Sequence, residues 1–331
     1  MNPSCFRFSI DRGGTFTDVY AEIPGGLGFR VVKLLSENPE SYSDAPREGI
    51  RKVLEEVSGQ HVPAEGFSSS RIEWIRMGTT VATNAVIEYD GAEVGMLTTR
   101  GFRDILLLAR GKRPHNFSMQ FDVPWQSKPL VRRRNRIVIS ERILPPDGRV
   151  EVALDEDEVR AAAELLKKRS VDAVIICFIY SFLNNTHEQR AKAIVKEVLP
   201  DTYVSCSSEV ADVIREYERF STAAMNAFIG PRTSFYLRNL RGSLRAEGVG
   251  AEIRVMQSNG GVTTIEGGSE RPVTILMSGP AGGVIGGKWA GDLSDVENFI
   301  TVDIGGTSAD ISVVPSGNVR IMNPRDTNIG G

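Results

Sequence analysis

Apolar and polar residues alternate along "FRFSID" (residues 6–11), "TDVYAEI" (17–23) and "FRVVKLLS" (29–36), the period of half-buried strands. The intervening "RGGTF" and "PGGLG" are turn chemistry. The period then becomes helical: Ile50, Val53, Leu54 and Val57 recur in "DAPREGIRKVLEEVSG", with Asp44 placed as N-cap and Gly59 just past the end. Beyond it "IEWIRMG" predicts a strand, "TTVATNAVIEYDG" a helix and "EVGMLTT" a strand. Residues 110–150 are irregular and basic. From 155 the alternation resumes with a helix in "LDEDEVRAAAELLKKR", a buried strand in "VDAVIICFIYSF" and a helix in "NNTHEQRAKAIVKEVL", where Thr186 and Gln189 have capping-box spacing. Consecutive helices follow in "REYERFSTAAMNAF" and "PRTSFYLRNLRGSLRAEG". A strand in "EIRVMQSNGG", a Gly-rich helix start in "SGPAGGVIGGKWAG" and a strand in "NFITVDIGG" complete the pattern. A β-meander followed by helix–strand crossovers predicts an α/β fold with mixed sheets rather than a plain doubly wound one.

At 331 residues the chain exceeds the size at which one core stops growing, so two lobes are expected. Net charge −3 gives no global attraction to nucleic acid or anionic membrane, and no run of ~18 apolar residues or export signal is present. The three cysteines, Cys5, Cys177 and Cys206, have no CxxC spacing, and Cys177 in "AVIICFIY" reads as a buried inert thiol, so a reducing cytoplasm is expected. His61, His115 and His187 show no zinc spacing. The basic run "RRRNR" (132–136), and Arg215, Glu216, Glu218 and Arg219 at helical spacing, read as solvated surface, with a bidentate arginine clamp on a substrate carboxylate as the alternative for the second set.

One string changes this picture. "IDRGGTFTDV" (10–19) returns as "VDIGGTSADI" (302–311), at a constant offset of 303 − 11 = 292. Each copy is an apolar strand ending in Asp, a Gly-Gly-Thr turn and a second strand. Such a turn exposes backbone N–H groups in a concavity suited to phosphate oxygens, and the Asp at the strand end suits a hydrated Mg²⁺. A single copy reads more readily as a plain tight hairpin with glycine at positive φ. Two copies predict homologous lobes offering paired clamps to one nucleotide. The candidates are Asp11 and Asp303 for catalysis and, through water, for Mg²⁺. Gly13, Gly14, Thr15, Thr17, Gly305, Gly306, Thr307 and Ser308 are candidates for the phosphates, with Arg12, Asp18 and Asp310 in their vicinity. Gly78, Thr79, Thr80 and Asn84 in "GTTVATNA" stand at another anion-attracting helix start, or at an ordinary Thr cap. "SGPAGG" offers a further one, or close helix packing.

The paired turns resemble the actin and sugar-kinase superfamily, of ribonuclease-H-like lobes. Taken in order, "IDRGGTFTDV", "RMGTTVATNAVIE", "LTTRGFRDIL", "SSEV", "REYERFST", "MQSNGGV", "SGPAGGVIG" and "DIGGTSADIS" resemble the hydantoinase A / 5-oxoprolinase family across essentially the whole chain. The resemblance implies ATP-dependent opening of a cyclic amide by phosphorylation of its amide oxygen, either 5-oxo-L-proline to glutamate, as in glutathione metabolism, or a hydantoin to its carbamoyl acid. Mg²⁺, with K⁺ as a further cation, and a hydantoinase B-type subunit or fused domain are implied partners, with an oligomeric full-length enzyme. Arg12 resembles the 5-oxoprolinases, whereas "IREYERFST" resembles hydantoinase A and ketone-carboxylase subunits. A ketone carboxylase and a non-catalytic nucleotide-binding scaffold stand as alternatives. The expected division is 1–200 for the first lobe and 201–331 for the start of the second, truncated one, so that the isolated chain is expected to bind ATP poorly.

Overall fold

The computed structural model describes residues 5–63, 71–111, 124–304 and 309–319. In chain order the strands are β1 Phe6–Arg12, β2 Phe16–Glu22, β3 Phe29–Leu35, β4 Ile72–Thr79, β5 Val94–Thr99, β6 Arg136–Ile139, β7 Arg142–Leu144, β8 Arg149–Val152, β9 Ala173–Cys177, β10 Tyr203–Cys206, β11 Glu252–Met256, β12 Val262–Thr264, β13 Phe299–Ile304 and β14 Ala309–Val314. They belong to two compact units, one from the described residues of Met1–Ala85 and Thr233–Met322, the other from those of Val86–Arg232. The cut expected at residue 200 falls inside the second unit. The reason is topological: the chain leaves the first sheet after β4 and returns to it with β11.

In the first unit a six-stranded sheet has the order β12-β11-β4-β1-β2-β3. The predicted meander is there, with β1, β2 and β3 antiparallel, while β4 runs parallel to β1 and β11 parallel to β4. Alternation in β1 sends Phe6, Phe8 and Ile10 to a core shared with Val19, Ile75 and Met77 of neighbouring strands. Ile50 and Val53 of the helix Ala45–Ser58, and Leu237, Leu240 and Leu244 of the helix Glu216–Ala246, cover it. The first of these helices starts and stops as its sequence predicts: Asp44 accepts the Arg47 amide at 3.0 Å, and Gly59 closes it at φ 64°. The strands β13 and β14 form a separate antiparallel ribbon.

The second unit contains the parallel sheet β10-β9-β5-β6. Every residue of β5 and β9 is buried, as expected for parallel strands covered on both faces. Helices Glu156–Lys168 and Thr186–Val198 pack there through Val159, Ala163, Leu166, Ile194 and Val195. Gly95 permits this approach, since a Cβ there would stand 2.7 Å from Leu166 Cδ1. Cys177 is buried in β9, as its apolar run predicts, and burial pushes its thiol up.

Four local expectations change. The predicted helix pair is one helix, Glu216–Ala246, with Pro231 inside. Buried residues on both sides of the proline, Phe220, Ala224 and Phe228 before it and Leu237, Leu240 and Leu244 after it, hold the helix together against a local cost of about 3 kcal/mol. The capping box does not form: Thr186 Oγ1 donates to Asn184, and the Gln189 amide side chain goes to Glu209. Arg219 is buried, donating to Ser207 Oγ and the carbonyls of Val213 and Phe178. Arg136 is buried too, with two donors on the Val131 carbonyl, while its neighbours Arg132–Arg134 are exposed. No helix among the described residues is long and apolar enough to cross a membrane.

Candidate functional site

The two copies of the repeated string form hairpins of identical register. Asp11 pairs with Asp18 and Arg12 with Thr17 in β1–β2, and Asp303 pairs with Asp310 and Ile304 with Ala309 in β13–β14. Gly305, Gly306, Thr307 and Ser308 lie outside the described residues, as does His115. In the first turn the Gly13 amide donates to the Phe16 carbonyl at 2.9 Å, Ser36 Oγ donates to the Gly13 carbonyl at 2.7 Å and the Ser36 amide to the Thr15 carbonyl at 2.9 Å. The amides of Gly14 and Thr15 make no hydrogen bond among the described residues. Positive φ is not what this turn requires, since neither Gly13 nor Gly14 has it. Close approach is the reason at Gly13, where a Cβ would lie 2.9 Å from Phe16 O. Thr17 is buried with Oγ1 2.9 Å from Ser36 Oγ, so it braces the turn from inside.

Parallel pairing places Gly78 beside Asp11. A Cβ on Gly78 would lie 3.2 Å from Asp11 Oδ1. The helix Ser278–Leu293 starts at the same place. Ser278 Oγ donates to the Thr79 carbonyl at 3.0 Å, and the Met277 amide donates to Thr83 Oγ1 at 3.0 Å. Its glycines face carboxylates: a Cβ would stand 3.8 Å from Asp11 Oδ1 at Gly279 and 3.9 Å from Asp303 Oδ2 at Gly283. The helix start therefore meets both repeated aspartates within its first two turns. Desolvation, Asp303 and Asp18 hold the Asp11 carboxyl above the ordinary range, with Lys33 opposing them. A recess of about 160 Å³ beside the helix is lined by Pro280, Gly283, Asp303, Asp310 and Ser312, among others.

The other candidates have structural partners. Thr79 is buried and its Oγ1 accepts the Val81 amide, while Thr80 gives both its amide and its hydroxyl to the Arg12 carbonyl. Asn84 donates its backbone amide to the Thr80 carbonyl in the helix Val81–Ile87. Asp18 pairs with Lys33 at 2.9 Å. The Arg12 guanidinium lies 4.7 Å over the Tyr236 ring. Ser278, Gly279 and Gly283 were legible only as a Gly-rich helix start, and the fold adds that this start abuts both aspartates.

Residues 7–199 match the family model described as the hydantoinase/oxoprolinase N-terminal region, and residues 219–329 the one described as hydantoinase/oxoprolinase. This chain belongs to the hydantoinase/oxoprolinase family. A 5-oxoprolinase of Dictyostelium discoideum is 33% identical over 92% of the chain and 26% of its own length. The caprolactamase subunit alpha of Pseudomonas jessenii is 35% identical over 98% of the chain and 46% of its own length. This member of the family thus spans from about a quarter to about half of these relatives. The crystal structure of the ATP-dependent caprolactamase from Pseudomonas jessenii superposes with TM-score 0.73 at 34% identity, over 93% of this chain and 43% of that one. A nucleotide-free acetone carboxylase superposes with TM-score 0.82 at 24% identity, over 98% and 45%. The mixed sheets with helical crossovers are those of the actin-like ATPase fold in these neighbours.

Proposed function

We propose that this chain supplies the phosphate-handling machinery of an ATP-dependent cyclic-amide hydrolase. The observation that carries the reading is the pair of hairpins in one register whose aspartates, Asp11 and Asp303, meet the glycine-rich start of the helix Ser278–Leu293. Support comes from the family and from relatives named 5-oxoprolinase and caprolactamase. The acetone carboxylase likeness, at 24% identity, supports the fold alone.

The donor set fits a nucleotide with Mg²⁺. Two acidic groups close enough to influence one another suit a cation that keeps its waters and takes phosphate oxygens. The open amides of Gly14 and Thr15 suit phosphate oxygens, and the space beside the carboxylates is space a Cβ would fill. Bound there, Mg·ATP supplies the phosphoryl group and the charge neutralisation that its transfer requires. The chain's residues do the holding: Asp11 and Asp303 orient the cation's water shell, and Ser36 fixes the turn through Gly13 and Thr15. Water adds to the ring carbon of the O-phosphorylated amide. The ring nitrogen takes up a proton and leaves as an amine, so that the C–N bond breaks and the ring opens to an acyl phosphate, and a second water cleaves that to carboxylate and phosphate. A hydantoinase B-type subunit or domain completes hydrolysis in this reading, as the name "subunit alpha" of the caprolactamase relative implies a further subunit there.

The test is phosphate release dependent on a cyclic amide, measured with the chain and its partner. Asp11→Asn and Asp303→Asn should each lower the rate by about two powers of ten or more, since metal-assisted charge stabilisation is worth several kcal/mol. Near-parental turnover in both variants would sink the paired-clamp reading.

A further inference from the structure

The two hairpins agree in register but differ in charge at one position beside the repeated aspartate. Arg12 in the first copy corresponds to Ile304 in the second, an exposed apolar side chain. Arg12 follows Phe6, Phe8 and Ile10 on alternate positions of β1 and reaches the Tyr236 ring of the helix Glu216–Ala246, whereas Asp11, one residue earlier, belongs to the alternate set and meets Gly279. Strand alternation thus sends the two side chains to opposite faces of one strand end.

The Arg12 guanidinium is half-buried and makes no hydrogen bond or ion pair among the described residues. Its counter-charge on this face, Asp44, lies within electrostatic reach but forms no ion pair with it; Asp44 Oδ1 accepts the Arg47 amide as helix cap. The Tyr236 hydroxyl is also buried without a hydrogen-bond partner. Burial pushes its ionisation up, so it stays a neutral donor. A fork of N–H donors seated 4.7 Å over an aromatic ring, with an unpaired buried hydroxyl on that ring, offers donors suited to an oxyanion.

We propose that Arg12, seated on Tyr236, is an oxyanion-binding residue of this site, taking a carboxylate of the cyclic amide or a phosphate of the nucleotide from the face of β1 opposite Asp11. The inference rests on the nucleotide and cyclic-amide reading above.

The experiment is calorimetric titration of the full chain with three probes: Mg·ATP, 5-oxoproline, and 2-pyrrolidinone, which is the same ring without the carboxylate. Parent, Arg12→Gln, Arg12→Lys and Tyr236→Leu are compared, each checked by its melting temperature. Loss of a charge-assisted hydrogen-bond pair should weaken the affected probe by about 10- to 100-fold in Arg12→Gln. Arg12→Lys should weaken it less, Tyr236→Leu should weaken it in the same sense, and 2-pyrrolidinone should bind as before. Selective loss of 5-oxoproline assigns the substrate carboxylate, and selective loss of Mg·ATP assigns phosphate; either supports the inference. Unchanged affinities, equal weakening of the neutral ring, or a parent chain that binds none of the probes overturns it. Failure of the functional reading looks different: Arg12-dependent binding persists, but no cyclic amide stimulates phosphate release.

Discussion

Asp11 carries a conflict between stability and ligand binding that pH exposes. Asp11 as a residue is exposed at the strand end, but the atoms packed beside its carboxyl hold that group up, first by desolvation and then through Asp303 and Asp18. The folded state therefore binds that proton more tightly than the unfolded chain does. Stability then falls as pH rises from the ordinary carboxylate value through the raised one, and the penalty persists at neutral pH. Asp11→Asn should melt above the parent at pH 7, with the difference fading toward about pH 4, by scanning calorimetry across that range. Asp303→Asn removes one cause and should move the acid edge of Mg·ATP binding by the parent Asp11 to lower pH. A less stable Asp11→Asn at pH 7 would contradict the assigned causes. At this scale the sequence was informative where a string repeats, since Asp11 and Asp303 could be paired by offset alone. It was silent on Arg219 and Arg136, whose helical or basic-run setting reads as surface until carbonyls from distant segments are brought to them.

Elements were legible where one local rule governs them. The β1–β3 meander follows from alternation, and the helix Ala45–Ser58 from its cap and terminal glycine. The long helix Glu216–Ala246 was not, because Pro231 is a local stop signal and the residues that outweigh it are contacts across the fold. Glycines show the same division between local and tertiary control. Gly242 lies in that helix with nothing within 4 Å of its would-be Cβ, whereas Gly95 in β5 faces Leu166. Gly242→Ala should therefore stabilise by up to about 1 kcal/mol, and Gly95→Ala should destabilise by about 1–3 kcal/mol through overpacking. Urea unfolding of the two variants checks the pair, and a shared sign would contradict the packing account.

Across the whole chain, the compact units were the least legible feature, since β11 rejoins β4 after the chain has built another sheet. Within the second unit, buried Glu188 ties separate segments together, accepting from the Phe178 amide at 2.9 Å, Ser207 Oγ at 2.6 Å and the Ser208 amide and hydroxyl at 3.0 and 2.6 Å. Burial pushes its carboxyl up while these donors oppose the shift. Glu188→Ala leaves buried donors, and Arg219 behind Ser207, uncompensated, and should cost about 3 kcal/mol or more; thermal unfolding should show the loss even with the Asp11 hairpin unchanged. The backbone contacts at the aspartates have a different bearing, on how the sequence can drift. At Gly78, Gly279 and Gly283 any replacement adds atoms beside Asp11 Oδ1 or Asp303 Oδ2. The room beside the two carboxylates is thus set by what these positions lack, and it can narrow by one methyl group, most sharply at Gly78, while the sheets and cores persist.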